Sequence, residues 1–131
     1  MPTKEPRRRV LFVDDDLVAA DPIVKFLGEW YDVETADNAE DAVNACRRGA
    51  PDLVLMDLMM PTESSYEGDG AIRILAADPK TASIPIIIQT GFQDARILFL
   101  IGQSPNIVGV LVKPFELDLL KKKVEVILGR R

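Results

Sequence analysis

Short apolar runs punctuate the chain, and the stretches between them carry apolar residues at helical spacing. Val10-Leu11-Phe12-Val13 and Leu53-Val54-Leu55-Met56 are followed by the longer runs Ile84-Pro85-Ile86-Ile87-Ile88 and Ile107-Val108-Gly109-Val110-Leu111-Val112. Continuous apolar runs of this length suit strands buried on both faces, and their alternation with helical segments predicts an α/β domain with a parallel sheet. The pattern places strands over 8–13, 31–36, 52–57, 84–90 and 107–112, and helices over 16–30, 38–48, 69–78, 93–102 and 115–128. The last helix is the clearest, since Leu117, Leu120, Val124, Ile127 and Leu128 share one face.

Local signals refine this layout. Asn38, with Asp41 three residues on, reads as a cap for the second helix; Gly49 stops that helix and Pro51 keeps it from resuming. Pro22 must either kink the first helix or start it, with Asp21 as cap. The polar, glycine-bearing segment 61–70 reads as a surface loop. Residues 1–7 form a flexible lead-in, and 8–131 a single domain.

Composition narrows the function classes. Sixteen basic and 21 acidic residues give a net charge of −5, which argues against nucleic acid or an anionic membrane as a direct partner. The runs Arg7-Arg8-Arg9 and Lys121-Lys122-Lys123 are too short to reverse that balance and read as solvated surface. Cys46 is the only cysteine, so no internal disulfide forms. Without a secretory leader pattern or a long apolar span, the expected location is cytoplasmic. Histidine is absent, so no imidazole of this chain acts as base, phosphocarrier or ligand.

Candidate chemistry sits where the strands end. The first run stops at Asp14-Asp15-Asp16 and the second at Asp57. Parallel neighbours bring Asp14, Asp15 and Asp57 to one sheet edge, the edge where open α/β sheets collect their chemistry. Carboxylates so close repel one another unless a cation neutralises them, and an all-oxygen set of high charge suits Mg²⁺. The later strands end in Thr90-Gly91 and Lys113-Pro114, which supply a hydroxyl and an ammonium at the same edge. Together these residues predict a metal-assisted phosphoryl site in which an aspartate accepts the group.

Four motifs, in order, carry a resemblance: Val13-Asp14-Asp15-Asp16, Leu55-Met56-Asp57-Leu58-Met59-Met60-Pro61, Gln89-Thr90-Gly91 and Val112-Lys113-Pro114-Phe115. Over residues 8–128 the chain resembles the receiver domain of two-component response regulators. The resemblance implies a five-stranded, doubly wound, flavodoxin-like fold of strand order 2-1-3-4-5. It implies Asp57 as phosphoacceptor, supplied by a sensor histidine kinase or phosphotransfer protein. Asp14, Asp15, Asp57 and the backbone carbonyl of Met59 would hold Mg²⁺, Thr90 would close on the phosphoryl group, and Lys113 would pair with it. The bond before Pro114 is typically cis in this family. Such a chain is a switch and not an enzyme in the ordinary sense.

Two other readings stay open: a receiver-like module that binds a partner without being phosphorylated, and a haloacid-dehalogenase-type phosphatase with Asp14 as nucleophile and Asp16 as acid/base. The latter lacks a convincing acidic pair after the lysine, since Glu116 and Asp118 substitute poorly. Asp16 reads more readily as a helix cap.

Departures from the family pattern set further expectations. Val110 stands where receivers usually carry a switching aromatic, so signalling is expected to remodel the fourth helix and its preceding loop instead, through Phe92. The stretch from Pro61 to Gly70 is about five residues longer than usual. Met59 and Phe92 are bulky and apolar where side chains flank the hydrolytic water, which predicts a long-lived phospho-Asp57. Finally, Ile97-Leu98-Phe99-Leu100-Ile101 cannot all face inward on one helix; with the exposed side of strand 107–112 they mark a homodimer or downstream-partner surface, unless a neighbouring element covers them.

Overall fold

The computed structural model describes residues 6–58, 67–91 and 95–129. Its elements alternate as β1 (Arg9–Val13), α1 (Leu17–Leu27), β2 (Asp32–Ala36), α2 (Ala39–Arg48), β3 (Leu53–Asp57), α3 (Gly68–Ala77), β4 (Ile86–Thr90), α4 (Ala95–Gln103), β5 (Ile107–Val112) and α5 (Leu117–Leu128). The strands form one parallel sheet in the order β2-β1-β3-β4-β5. This is the doubly wound arrangement expected from the sequence.

Burial explains why the middle strands read as unbroken apolar runs. Every residue of β3 and β4 is buried, whereas the edge strands β2 and β5 are largely exposed or half-buried. Helices α1 and α5 cover one face, where Ala20, Leu27, Leu120 and Val124 pack on Phe12, Leu55, Ile87 and Leu111. Helices α2, α3 and α4 cover the other, where Val43, Ile72, Leu75 and Leu100 pack on Leu11, Val54, Met56 and Ile88. Side chains two residues apart along each strand point to one face, so the strands feed both cores alternately.

Several boundaries differ from the sequence expectation for identifiable reasons. Helix α1 starts at Leu17 because Asp16 caps it, its side chain accepting the Ala19 N–H at 3.0 Å. Pro22 therefore lies inside the helix and Asp21 is no cap; it pairs with Lys25 at 3.0 Å. The helix closes at Leu27, three residues early, as Trp30 and Tyr31 N–H both turn back to the Leu27 carbonyl. Strand β4 starts at Ile86: Pro85 has no N–H for the ladder, though its carbonyl accepts from Val54 at 3.0 Å. Helix α3 begins at Gly68, so residues 68–70 of the expected loop are helical; residues 61–66 lie outside the described residues. The Asn38 cap forms as expected, reciprocally with Asp41.

The basic run is absorbed by the chain's own acids at the amino edge of the sheet. Arg7, Arg8 and Arg9 pair with Asp32, Asp52 and Glu34 at 3.7, 3.7 and 3.8 Å. Arg7, at the end of the segment read as a lead-in, also donates to the carbonyls of Gly28 and Tyr31. Each exposed pair contributes little stability, but together they leave no arginine patch for an anionic partner. Lys121 of the second basic run stacks on Trp30 at 4.1 Å and pairs with Glu125 at 3.2 Å.

Candidate functional site

The carboxyl ends of four parallel strands meet at one edge. Asp14 and Asp15 follow β1, Asp57 and Thr90 are the last residues of β3 and β4, and Lys113 follows β5. Asp14, Asp57 and Lys113 each lie two residues beyond Phe12, Leu55 and Leu111, members of the core under α1 and α5. Strand alternation therefore aims all three at the same face.

They meet there. The Lys113 ammonium donates to Asp14 Oδ2 at 2.8 Å and to Asp57 Oδ2 at 2.9 Å. Both aspartates are buried, at 7% and 4% exposure, so this contact is their screen against each other. Oxygens of Asp14, Asp15 and Asp57 lie within 4.8 Å of one another. One ammonium offsets only one of those three charges, and the remainder suits a hard divalent cation. Asp15 faces solvent, giving such an ion a route in.

The electrostatics record the crowding. Burial, then the charge and hydrogen bonding of Asp14 and the charge of Asp57, hold the Asp15 carboxyl above its usual range. For Lys113 burial acts to lower the value, but hydrogen bonds to Asp14 and Asp57 and their charges outweigh it, and the ammonium is held above its ordinary range.

Around this centre the backbone is tightly tied. The Thr90 carbonyl accepts the Lys113 N–H at 2.6 Å, fixing the two strand ends together, and Thr90 itself is fully buried. The Lys113–Pro114 bond is cis, as the resemblance implies. Asp16 N–H donates to Asp14 Oδ1 at 2.9 Å, while the Asp16 side chain is engaged as the α1 cap. That engagement gives Asp16 the capping role its sequence position suggests. A cleft of about 450 Å³ opens from Asp14 and Asp15 between Ala19 and Ile23 of α1 and the segment Lys113–Phe115.

The five candidate side chains thus gather at one edge; Met59, the sixth candidate, lies outside the described residues, as does Phe92. Two residues of the site went unread in the sequence. A Cβ on Gly68 would lie 1.9 Å from the Asp57 carbonyl oxygen, so α3 can start against Asp57 only with glycine there. Its signal was the Glu67-Gly68-Asp69-Gly70 run, in which the sequence alone does not say which glycine makes the contact. The other is Gln89, a polar residue in an isoleucine strand.

Comparison with known proteins places this geometry. The family model for the response regulator receiver domain matches residues 10–125. The chain belongs to that family. The receiver is 33% identical over 125 residues to the DNA-binding response regulator MtrA of Mycobacterium tuberculosis, covering 95% of this chain and 52% of that protein. It therefore spans about half the length of that relative. It is 31% identical over 122 residues to the protein PilH of Pseudomonas aeruginosa, covering 92% of this chain and 98% of that one. A putative response regulator from Chloroflexus aurantiacus superposes with a TM-score of 0.81 at 28% identity, covering 96% of this chain and all of that one. Receivers are signalling switches of two-component systems that bind Mg²⁺ at an acidic site and interact with histidine kinases or phosphotransfer proteins; the Asp14, Asp15 and Asp57 cluster has the composition such a site requires. Among the described residues of this receiver, no helix is long and apolar enough to cross a membrane.

The readout positions differ from the common pattern. Val110 is half-buried, packed against the core under α3 and α4. In the apolar helix α4, Leu100 is fully buried, while Leu98, Phe99 and Ile101 are exposed, as are Val108 and Val112 of β5 and Leu119 of α5.

Proposed function

We propose that Asp57 is the phosphoacceptor of this receiver and that Asp14, Asp15 and Asp57, with the Met59 carbonyl, hold the Mg²⁺. The observation that supports this most is the Lys113 ammonium, which bridges the buried carboxylates of Asp14 and Asp57 at 2.8 and 2.9 Å. A cation so placed is positioned to follow negative charge as it arrives on Asp57.

In this reading an Asp57 carboxylate oxygen attacks the phosphorus of a phosphohistidine. The P–N bond breaks, its electron pair stays on the imidazole nitrogen, and an acyl phosphate remains on Asp57. The chain has no histidine, so the donor imidazole belongs to a sensor kinase or phosphotransfer protein. Mg²⁺, when bound, neutralises phosphoryl charge. Lys113 transfers its hydrogen bond from the carboxylate to a phosphoryl oxygen, and the Thr90 hydroxyl donates to another. The exposed apolar residues of α4 and β5, within 93–112, then present the output surface to a downstream protein or a second copy of the chain.

Mass spectrometry of protein treated with Mg²⁺ and acetyl phosphate tests the assignment. A labile phosphate adduct is expected on the wild type and none on Asp57→Asn. Equal labelling of both proteins, or of neither, rejects Asp57 as the acceptor.

A further inference from the structure

One buried polar side chain lies against the site without a role in the steps above. Gln89 is fully buried near the end of β4, where its strand neighbours are three isoleucines and Thr90. It lies in register beside Asp57. Two residues after Ile87, it shares that residue's face of the sheet, the face of Asp14, Asp57 and Lys113.

Its hydrogen bonds run beneath the site. Gln89 Nε2 donates to the Val13 carbonyl at 2.8 Å and reaches the Leu55 carbonyl at 3.4 Å, so the side chain crosses from β4 over β3 to β1. The Val13 carbonyl belongs to the peptide that carries Asp14, and Leu55 stands two residues before Asp57. Oε1 is buried and has no hydrogen-bond partner among the described residues. A buried acceptor without a donor is costly, and an aliphatic side chain would fill the same space without that penalty. Packing alone does not explain a glutamine here.

We propose that Gln89 is a positioning residue for the acidic site: its amide ties the ends of β1 and β3 at the separation that lets Asp14 and Asp57 share one cation. Its Oε1 adds an acceptor dipole to the same face, favouring positive charge there. The kinetic part of this inference rests on Asp57 as phosphoacceptor; the cation part rests on the carboxylate cluster itself.

Gln89→Met tests it, since methionine keeps the length and approximate volume while removing both donated bonds and the unpartnered oxygen. The full chain is followed by thermal unfolding without Mg²⁺, by calorimetric titration with Mg²⁺ alone, and by the rate of acetyl phosphate modification. The expected result is a melting temperature equal to or above wild type, with Mg²⁺ affinity reduced on the order of tenfold and modification slowed to match at sub-saturating Mg²⁺. Wild-type Mg²⁺ affinity in the variant overturns the proposal, whatever its melting temperature. If the wild type takes no phosphoryl group but Gln89→Met still weakens Mg²⁺, the positioning role stands and the phosphoacceptor reading fails. Should Gln89→Met not fold, Gln89→Leu repeats the test; failure of both to fold makes Gln89 a structural tie and overturns the proposal.

Discussion

Gly68 stands against Asp57 so closely that a Cβ on the glycine would lie 1.9 Å from the aspartate carbonyl oxygen. The obstacle is backbone, which cannot rotate away as a side chain would. Gly68→Ala must therefore displace the start of α3 or the strand end that carries Asp57. A loss of about 1–3 kcal/mol in denaturant unfolding is expected, together with slower acetyl phosphate modification. Gly91→Ala is the control: among the described residues a Cβ there meets nothing within 4 Å, and the change should stay within about 0.5 kcal/mol.

Lys113→Met leaves two buried carboxylates facing each other without their shared ammonium. Destabilisation of about 1–3 kcal/mol is expected in Mg²⁺-free buffer, less than for a fully buried pair because the lysine is a third exposed. Added Mg²⁺ should recover part of it by replacing the missing positive charge. The folded state holds the Lys113 proton more tightly than the unfolded chain does. Its contribution is therefore complete below the ordinary lysine range and is lost as pH rises through the raised folded value. Thermal melts of wild type and variant should converge in that alkaline window.

Asp15 carries the opposite consequence at the acid end. Its carboxyl is held above the usual range, so the folded state binds that proton more tightly than the unfolded one. Stability is greatest where Asp15 is protonated and falls as pH rises through the folded value, leaving a penalty at neutral pH. Asp15→Asn should melt higher than wild type at pH 7 without Mg²⁺, with the gap closing as pH drops below the ordinary aspartate range. With Mg²⁺ the order should reverse if Asp15 holds the ion as proposed, because the variant then lacks that carboxylate.

Asp16 separates two chemistries that the sequence left open. As a cap accepting from Ala19 N–H, its replacement by alanine should cost about 1 kcal/mol. Acetyl phosphate labelling of Asp57 should persist, because the bond to Asp14 Oδ1 comes from the Asp16 backbone. A phosphatase using Asp16 as acid/base would instead lose its turnover.

The family resemblance implies that the side chains at positions 59 and 92 border the hydrolytic water, and neither methionine nor phenylalanine offers a group to orient it. Phospho-Asp57 should outlast seconds in purified protein with Mg²⁺. Decay followed by mass spectrometry checks this, and Met59→Asn should shorten the lifetime.

Much of the fold was legible because the buried strands are unbroken apolar runs and each stops at a polar residue. Asp14, Asp57 and Lys113 were legible for the same reason: a charged residue directly after a buried strand has few places to go. Other features depend on distances that spacing does not encode. Gly68 and Gly70 are alike in sequence, and only the docking of α3 distinguishes them. Ile84 is buried like the isoleucines of β4, yet it lies outside the ladder, on the far side of Pro85. Gln89 looks like an ordinary polar strand end until its amide is seen to cross β3.

The pairing of β4 with β5 slips once: Ile86 faces Ile107 but Ile87 faces Gly109, which leaves Val108 as the extra residue. This irregularity lies on an outer strand, and it interrupts the row of backbone groups that a foreign strand would need as a template. At the opposite margin, β2 presents Asp32 and Glu34, both held in ion pairs with arginines. The sheet is thus guarded against growth at both margins, by a misfit on one side and by charge on the other. A second copy of this chain is expected to engage it through side chains rather than by extending the ladder.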